Sequence, residues 1–117
     1  MKINKIAQIL DARIHCENED TDCDVKSACA ADLMSDVLAF SKSSTALLTG
    51  LMNPQVIRTA EMMDISCIIF VRNKKPTEEM VALAKDIGIT ILSTEYTMYY
   101  ASGRLYAAGL GKSDPNE

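Results

Sequence analysis

Apolar and polar positions change period several times along the chain, and each change marks an element. Ile3, Ile6, Ala7 and Leu10 recur at i, i+3, i+4 and i+7, which draws one stripe on a helix over residues 2–11. Residues 12–16 then alternate apolar and polar, the period of a half-buried strand. Glu17 to Asp24 places five acids in eight residues, too much repulsion and too little apolar surface for a core element, and reads as a solvated loop. Val25 to Ala31 is small and weakly alternating and predicts a second strand. Asp32 follows, ahead of Leu33, Met34, Val37 and Leu38 at helical spacing, where its carboxylate is suited to accept from the free amides of a first turn.

From there the pattern repeats. Apolar runs begin at Thr45, Cys67 and Ile89, 22 residues apart on both occasions, each short and bounded by turn signals as buried strands are. Between the first two, Asn53 is a helix cap and Pro54 occupies the first helical position, where its missing N–H costs nothing. Val56, Ile57, Ala60 and Met63 make the buried stripe. Between the second and third, Pro76-Thr77-Glu78-Glu79 opens a helix with acids at its positive end. Met80, Val81, Ala84 and Ile87 form its stripe, and Gly88 ends it in a left-handed cap. Thr94 is placed to cap a last helix carrying Met98, Tyr99, Leu105 and Tyr106, and residues 111–117 have the composition of a frayed, disordered tail.

Strands alternating with three-turn helices imply an α/β fold: a small, mostly parallel sheet of about five strands with helices packed on it. The continuously apolar strands of the C-terminal half fit a sheet covered on both faces. In such sheets ligands bind beyond the carboxyl ends of the strands. The loops there run from Thr49-Gly50 to Asn53, through Arg72-Asn73-Lys74-Lys75, and from Thr94 to Thr97.

Composition narrows the classes of function. The chain has 117 residues, 48% of them apolar, enough for one domain over residues 1–110 with its own core and no need of a disulfide or metal. Twelve basic residues against sixteen acids give a net charge of −4, which argues against nucleic acid as a partner. No apolar run approaches a membrane span, and the first residues lack the apolar stretch and cleavage site of a secretory signal. A cytoplasmic location follows, in which Cys16, Cys23, Cys29 and Cys67 are expected as reduced thiols.

Motifs for chemistry are sparse. His15 flanks Cys16, but neighbours on a strand point to opposite faces, so a surface or packing histidine is the plainer reading than a metal or nucleophilic pair. The spacings of Cys16, Cys23 and Cys29 match no zinc or iron–sulfur run; a redox-responsive Cys23 is the sharper alternative to structural thiols. Asp20, Asp22 and Asp24 imitate a calcium loop, yet Val25 stands where that loop needs Gly and Ala31 where it needs Glu. Neither phosphate-loop motif nor G-x-S-x-G occurs, so the chain is not expected to be an enzyme and no cofactor is implied. Arg72, Lys74 and Lys75 form the one basic cluster. Beside a helix N-terminus it could receive a small anion, and as a bland alternative it is a solvated turn. Tyr96, Tyr99, Tyr100 and Tyr106 crowd the last helix, where Tyr96 and Tyr100 share a face suited to a protein interface and core packing explains them about as well.

The run Asp32 to Phe40, then Leu47-Leu48-Thr49-Gly50, Asn53 to Met62, Lys75 to Glu79 and Ser93 to Met98 resembles the stand-alone DRTGG domain proteins of anaerobic bacteria over nearly the whole chain. Related domains are embedded in phosphotransacetylases and CBS-domain pyrophosphatases and, more distantly, stand at the N-terminus of HPr kinase. The resemblance implies a compact α/β regulatory domain, usually a homodimer, without catalytic machinery. Stand-alone relatives tend to be encoded beside iron hydrogenase-like proteins, kinase-type anti-sigma regulators and PHP-type phosphoesterases, which implies a redox or kinase-type signalling partner. Two signatures depart. Where the wider family often has Gly-Asp-Arg, this chain reads Gly50-Leu51-Met52, and where it often has Thr-Gly-Gly, it reads Val71-Arg72-Asn73. The expectation is therefore a pocket of altered chemistry at the same sheet edge. It would use Thr49, Gly50, Asn53, Arg72, Asn73, Lys74, Thr94 and Thr97 for a small anionic ligand, with an adenine nucleotide among the candidates. A ligand-free adaptor docking through Tyr96 and Tyr100 is the rival, and a thiol or metal accessory protein a third reading.

Overall fold

The three apolar runs become the centre of one sheet. A computed structural model of the chain describes residues 1–16, 23–40, 42 and 44–111. In chain order these form α1 (Ile3–Ile9), β1 (Arg13–Cys16), β2 (Ser27–Ala30), α2 (Met34–Phe40), β3 (Thr45–Thr49), α3 (Gln55–Met62), β4 (Ile65–Phe70), α4 (Glu78–Ile87), β5 (Thr90–Ser93) and α5 (Met98–Ala107). The strands lie in the order β1-β5-β4-β3-β2. β2, β3, β4 and β5 run parallel and β1 runs antiparallel to β5, so the sheet is mixed and mostly parallel. Most of the acidic loop, residues 17–22 with Asp20 and Asp22 of the calcium-like run, lies outside the described residues, as does the tail from residue 112.

Side-chain alternation sorts the core into two layers. Ala46, Leu48, Cys67, Ile69, Val71 and Leu92 pack with Ile3, Ile6, Leu10, Ala101 and Leu105, so α1 and α5 cover one face. Leu47, Ile68, Phe70 and Ile91 pack with Val37, Val56, Ile57, Ala60, Met80 and Ala84, so α2, α3 and α4 cover the other. Every residue of β3 and β5 is buried, as the uninterrupted apolar runs require.

Helix boundaries follow local chemistry in two cases. Asn53 Oδ1 accepts from Gln55 N–H at 2.9 Å while Pro54 is already helical, which starts α3 where expected. Thr77 Oγ1 accepts from Met80 N–H, and Gly88 at φ 90° stops α4. In two others tertiary partners win. Asp32 does not cap α2, because its carboxylate reaches across to β3 instead. Thr94 does not cap α5. Its buried hydroxyl donates to the Leu10 carbonyl at 2.7 Å, and Thr97 caps α5 by accepting from Tyr100 N–H. The helices are also shorter than expected at α1, β4 begins two residues before the apolar run, and β5 begins one after it.

Strict alternation fails in β1. A register shift between Ile14 and Cys16 sends Ile14 to the α1/α5 layer and Cys16 to the other. His15 and Cys16 are kept apart by their partners, with His15 Nε2 2.7 Å from Ser93 Oγ and Cys16 Sγ donating to the Ile89 carbonyl. Burial, then the charges of Arg13 and Lys75, hold the His15 pKa below its ordinary value.

Candidate functional site

Four loops meet at the carboxyl edge of the parallel strands, and the residues that follow β2, β3 and β4 are tied together there. Asp32 stands two residues after β2. Its Oδ1 accepts from Gly50 N–H at 2.8 Å and from Thr49 Oγ1 at 3.3 Å, and its Oδ2 pairs with the Arg72 guanidinium at 3.4 Å. The Gly50 amide chiefly, with Arg72 and Thr49 adding, holds the Asp32 carboxyl below the usual carboxylate range. Arg72 lies flat over Gly50: a Cβ at that position would stand 1.9 Å from a guanidinium nitrogen. The missing side chain of Gly50 leaves the room that the guanidinium occupies, and a Cβ there would make this flexible, half-exposed side chain swing aside.

Arg72 is aimed by its backbone. Arg72 and Asn73 both adopt φ 58°, and Lys74 N–H donates to the Val71 carbonyl at 3.2 Å, a tight turn with two left-handed central residues. The turn is anchored from β5's loop, since Arg72 N–H donates to the Tyr96 carbonyl at 2.8 Å and Asn73 N–H to the Thr94 carbonyl at 3.0 Å. Arg72, Asn73, Lys74 and Lys75 are all exposed.

The expected site residues therefore divide. Thr49, Gly50 and Arg72 converge, with Asn73 and Lys74 on the same turn. Asn53, Thr94 and Thr97 are at this edge but their side chains serve as a helix cap, a buried strut and a helix cap respectively. The α4 N-terminus is a poor anion seat, because Thr77 already accepts from its first turn and Glu78 and Glu79 already place negative charge there. Asp32 is the residue sequence reasoning assigned to another task. An acid just after one strand, level with a Gly just after the next, was the available signal.

The tyrosines split into two groups. Tyr96 is half-buried and meets Tyr100 edge-to-face, ring centroids 4.8 Å apart, with the Arg104 guanidinium 5.8 Å from each ring and its Nε donating to the Ile9 carbonyl. Tyr99 and Tyr106 are more exposed than Tyr100, Tyr99 at 90%. Among the described residues no three His, Cys, Asp or Glu side chains converge as a metal site would need. No described helix is long and apolar enough to cross a membrane.

The profile of the DRTGG domain matches residues 5–108. No curated protein matches the chain. Among solved structures, the CBS and DRTGG domains of the regulatory region of Clostridium perfringens pyrophosphatase, complexed with the activator diadenosine tetraphosphate, superpose with a TM-score of 0.77 at 19% identity. That likeness covers 89% of this chain and 45% of the other, so the chain spans a little under half of the structure it resembles.

Proposed function

The chain belongs to the DRTGG domain family, and from that premise we propose that residues 1–110 form a single, non-catalytic regulatory domain that senses a small anionic ligand, an adenine nucleotide first among the classes. The observation that carries this reading is Arg72: a guanidinium about half exposed, laid over Gly50, and paired only loosely with Asp32 at 3.4 Å. A phosphate offers that guanidinium a stronger, bidentate partner than a single distant carboxylate oxygen. Lys74, on the same turn, adds positive charge. Drawing Arg72 away releases the brace that joins the loops after β2, β3 and β4, so occupancy is converted into a change at the sheet edge. The nucleotide class is favoured by the pyrophosphatase regulatory region, which has this fold and is complexed with diadenosine tetraphosphate.

We place the protein in the cytoplasm as a homodimer in a redox or kinase-type signalling setting. The test is a thermal-shift titration of the full chain with adenine and guanine nucleotides, dinucleoside polyphosphates, acyl phosphates and phosphate. At a hundredfold excess over Kd, one-site binding adds about 2.7 kcal/mol and raises the midpoint by roughly 10 °C. Arg72→Ala and Lys74→Ala should abolish most of that shift; an unchanged shift in both would remove the site from this edge. The edge-to-face pair of Tyr96 and Tyr100 favours a second reading, an adaptor docking a signalling protein without ligand. A pull-down in which Tyr96→Ala and Tyr100→Ala keep every partner would set it aside.

A further inference from the structure

β2 ends the sheet, and it lacks the devices that keep an edge strand from pairing with another chain. The order β1-β5-β4-β3-β2 leaves it, among the described residues, with a neighbour on one side only. Ser27, Ala28, Cys29 and Ala30 include no charge and no proline, and they pair with β3 in unbroken register, without a bulge. Ala31 N–H donates inward to the Leu48 carbonyl at 3.0 Å. Alternation along a parallel ladder then turns the N–H and C=O of Ala28 and Ala30 to the open side.

The sheet face beside this edge is also bare. Ala28 and Ala30 pair with Ala46 and Leu48, which puts their side chains on the α1/α5 face, yet both are exposed. A cavity of about 810 Å³ lies between them and α5, with Tyr99 and Tyr106 along its wall. Those two residues are 90% and 62% exposed. Edge and bare face are contiguous, so one partner covers both. A second copy does so by itself, because an antiparallel strand pair carries a two-fold axis between its strands. It continues the sheet through β2 and sets the two α5 walls facing each other across a joined alanine floor. The area agrees in scale: Tyr99 and Tyr106 alone would bury about 300 Å² from each copy, over a third of the roughly 800 Å² per partner of a standard interface.

We propose that two copies of this chain join through β2, antiparallel, into one continuous sheet. The inference rests on the homodimer reading above and names its surface. One register lets both outward-facing residues pair, Ala28 of each copy with Ala30 of the other. Cys29 then faces its own counterpart across the axis as a non-hydrogen-bonded pair, Cα atoms about 4.5 Å apart, within the span a disulfide bridges.

The test is sedimentation velocity of the full chain over a concentration series, together with thiol cross-linking. Diamide, which takes up two electrons and two protons as two thiols join, should link the parent into a disulfide dimer on a non-reducing gel. Cys23→Ser should keep that link and Cys29→Ser should remove it. Ala30→Lys sets a charge on the exposed floor, and Tyr99→Lys replaces an exposed ring. Each should raise the dimer Kd at least about tenfold, because the axis enters every change twice. Circular dichroism confirms the fold, and Tyr99→Lys serves if Ala30→Lys does not fold. A chain monomeric at every concentration overturns the homodimer reading and this surface together. A dimer whose Kd is unchanged in both variants, or whose link survives Cys29→Ser, keeps the homodimer and overturns the surface alone.

Discussion

Replacing Arg72 by glycine and, separately, by alanine divides its backbone role from its charge. The residue holds φ 58°, where an L side chain costs roughly 1–2 kcal/mol. Arg72→Ala keeps that cost and removes the ion pair. Because the partners are 46% and 47% exposed and 3.4 Å apart, the pair is worth at most about 1 kcal/mol. Arg72→Gly removes the same pair but relieves the left-handed strain, offset by about 0.5–1 kcal/mol of extra freedom in the unfolded chain. The alanine variant is therefore expected to lose about 0.5–1 kcal/mol, and the glycine variant to lie about 0.5–1 kcal/mol above it, close to the parent. Urea unfolding at 25 °C and pH 7 resolves this, and the two variants should differ by about 4 °C in thermal midpoint. In 1 M salt the deficit of Arg72→Ala should shrink, since an exposed pair is screened, whereas the gap between the variants should persist. An alanine variant as stable as the glycine variant refutes the strained-turn argument.

Other outcomes follow from the same geometry. The lowered Asp32 pKa contributes stability that is fully present above the unfolded carboxylate value near ~3.9 and is lost as pH falls through the lower folded value. The midpoint-against-pH curve of Asp32→Asn should lie below the parent above pH ~4 and converge with it in stronger acid; a constant offset contradicts this. Burial raises the thiol pKa of Cys16 and pushes that of Cys67 up to about 12. With 5,5′-dithiobis(2-nitrobenzoate) at pH 8, the partly exposed Cys23 and Cys29 should react in the native protein, and Cys16 and Cys67 only in denaturant. Fast reaction of Cys67 would show that the α1/α5 layer opens readily. Leu48→Ala, at a buried position beneath α5, should cost about 2–5 kcal/mol by urea unfolding.

Much of the architecture was legible because its signals are local. The helix stripes, the Asn53-Pro54 start, the acidic opening of α4 and the Gly88 stop each lie within a few residues, and their backbone chemistry works whatever the rest of the chain does. The parallel, doubly covered strands could be read from apolar runs, and the carboxyl edge could be named as a meeting place. Misreadings arose where a side chain had a choice. Asp32 could cap the next helix or reach Arg72, 40 residues on, and the exposed amide of Gly50 with a cation behind it was the better offer. Thr94 could cap α5 or bridge to Leu10, 84 residues away, and its buried hydroxyl donates to the Leu10 carbonyl while accepting from Tyr96 N–H.

Local periodicity by itself determined which segments are helix and which are strand, since the burial demanded of each stripe is written in its spacing. Only the tertiary structure decided that β1 joins the sheet antiparallel at β5, that Arg72 lies over Gly50, and that β2 keeps one face bare beside α5. Those features arise between segments remote in the chain, where pairing is settled by packing and by competition for hydrogen-bond partners, neither of which has a period along the sequence.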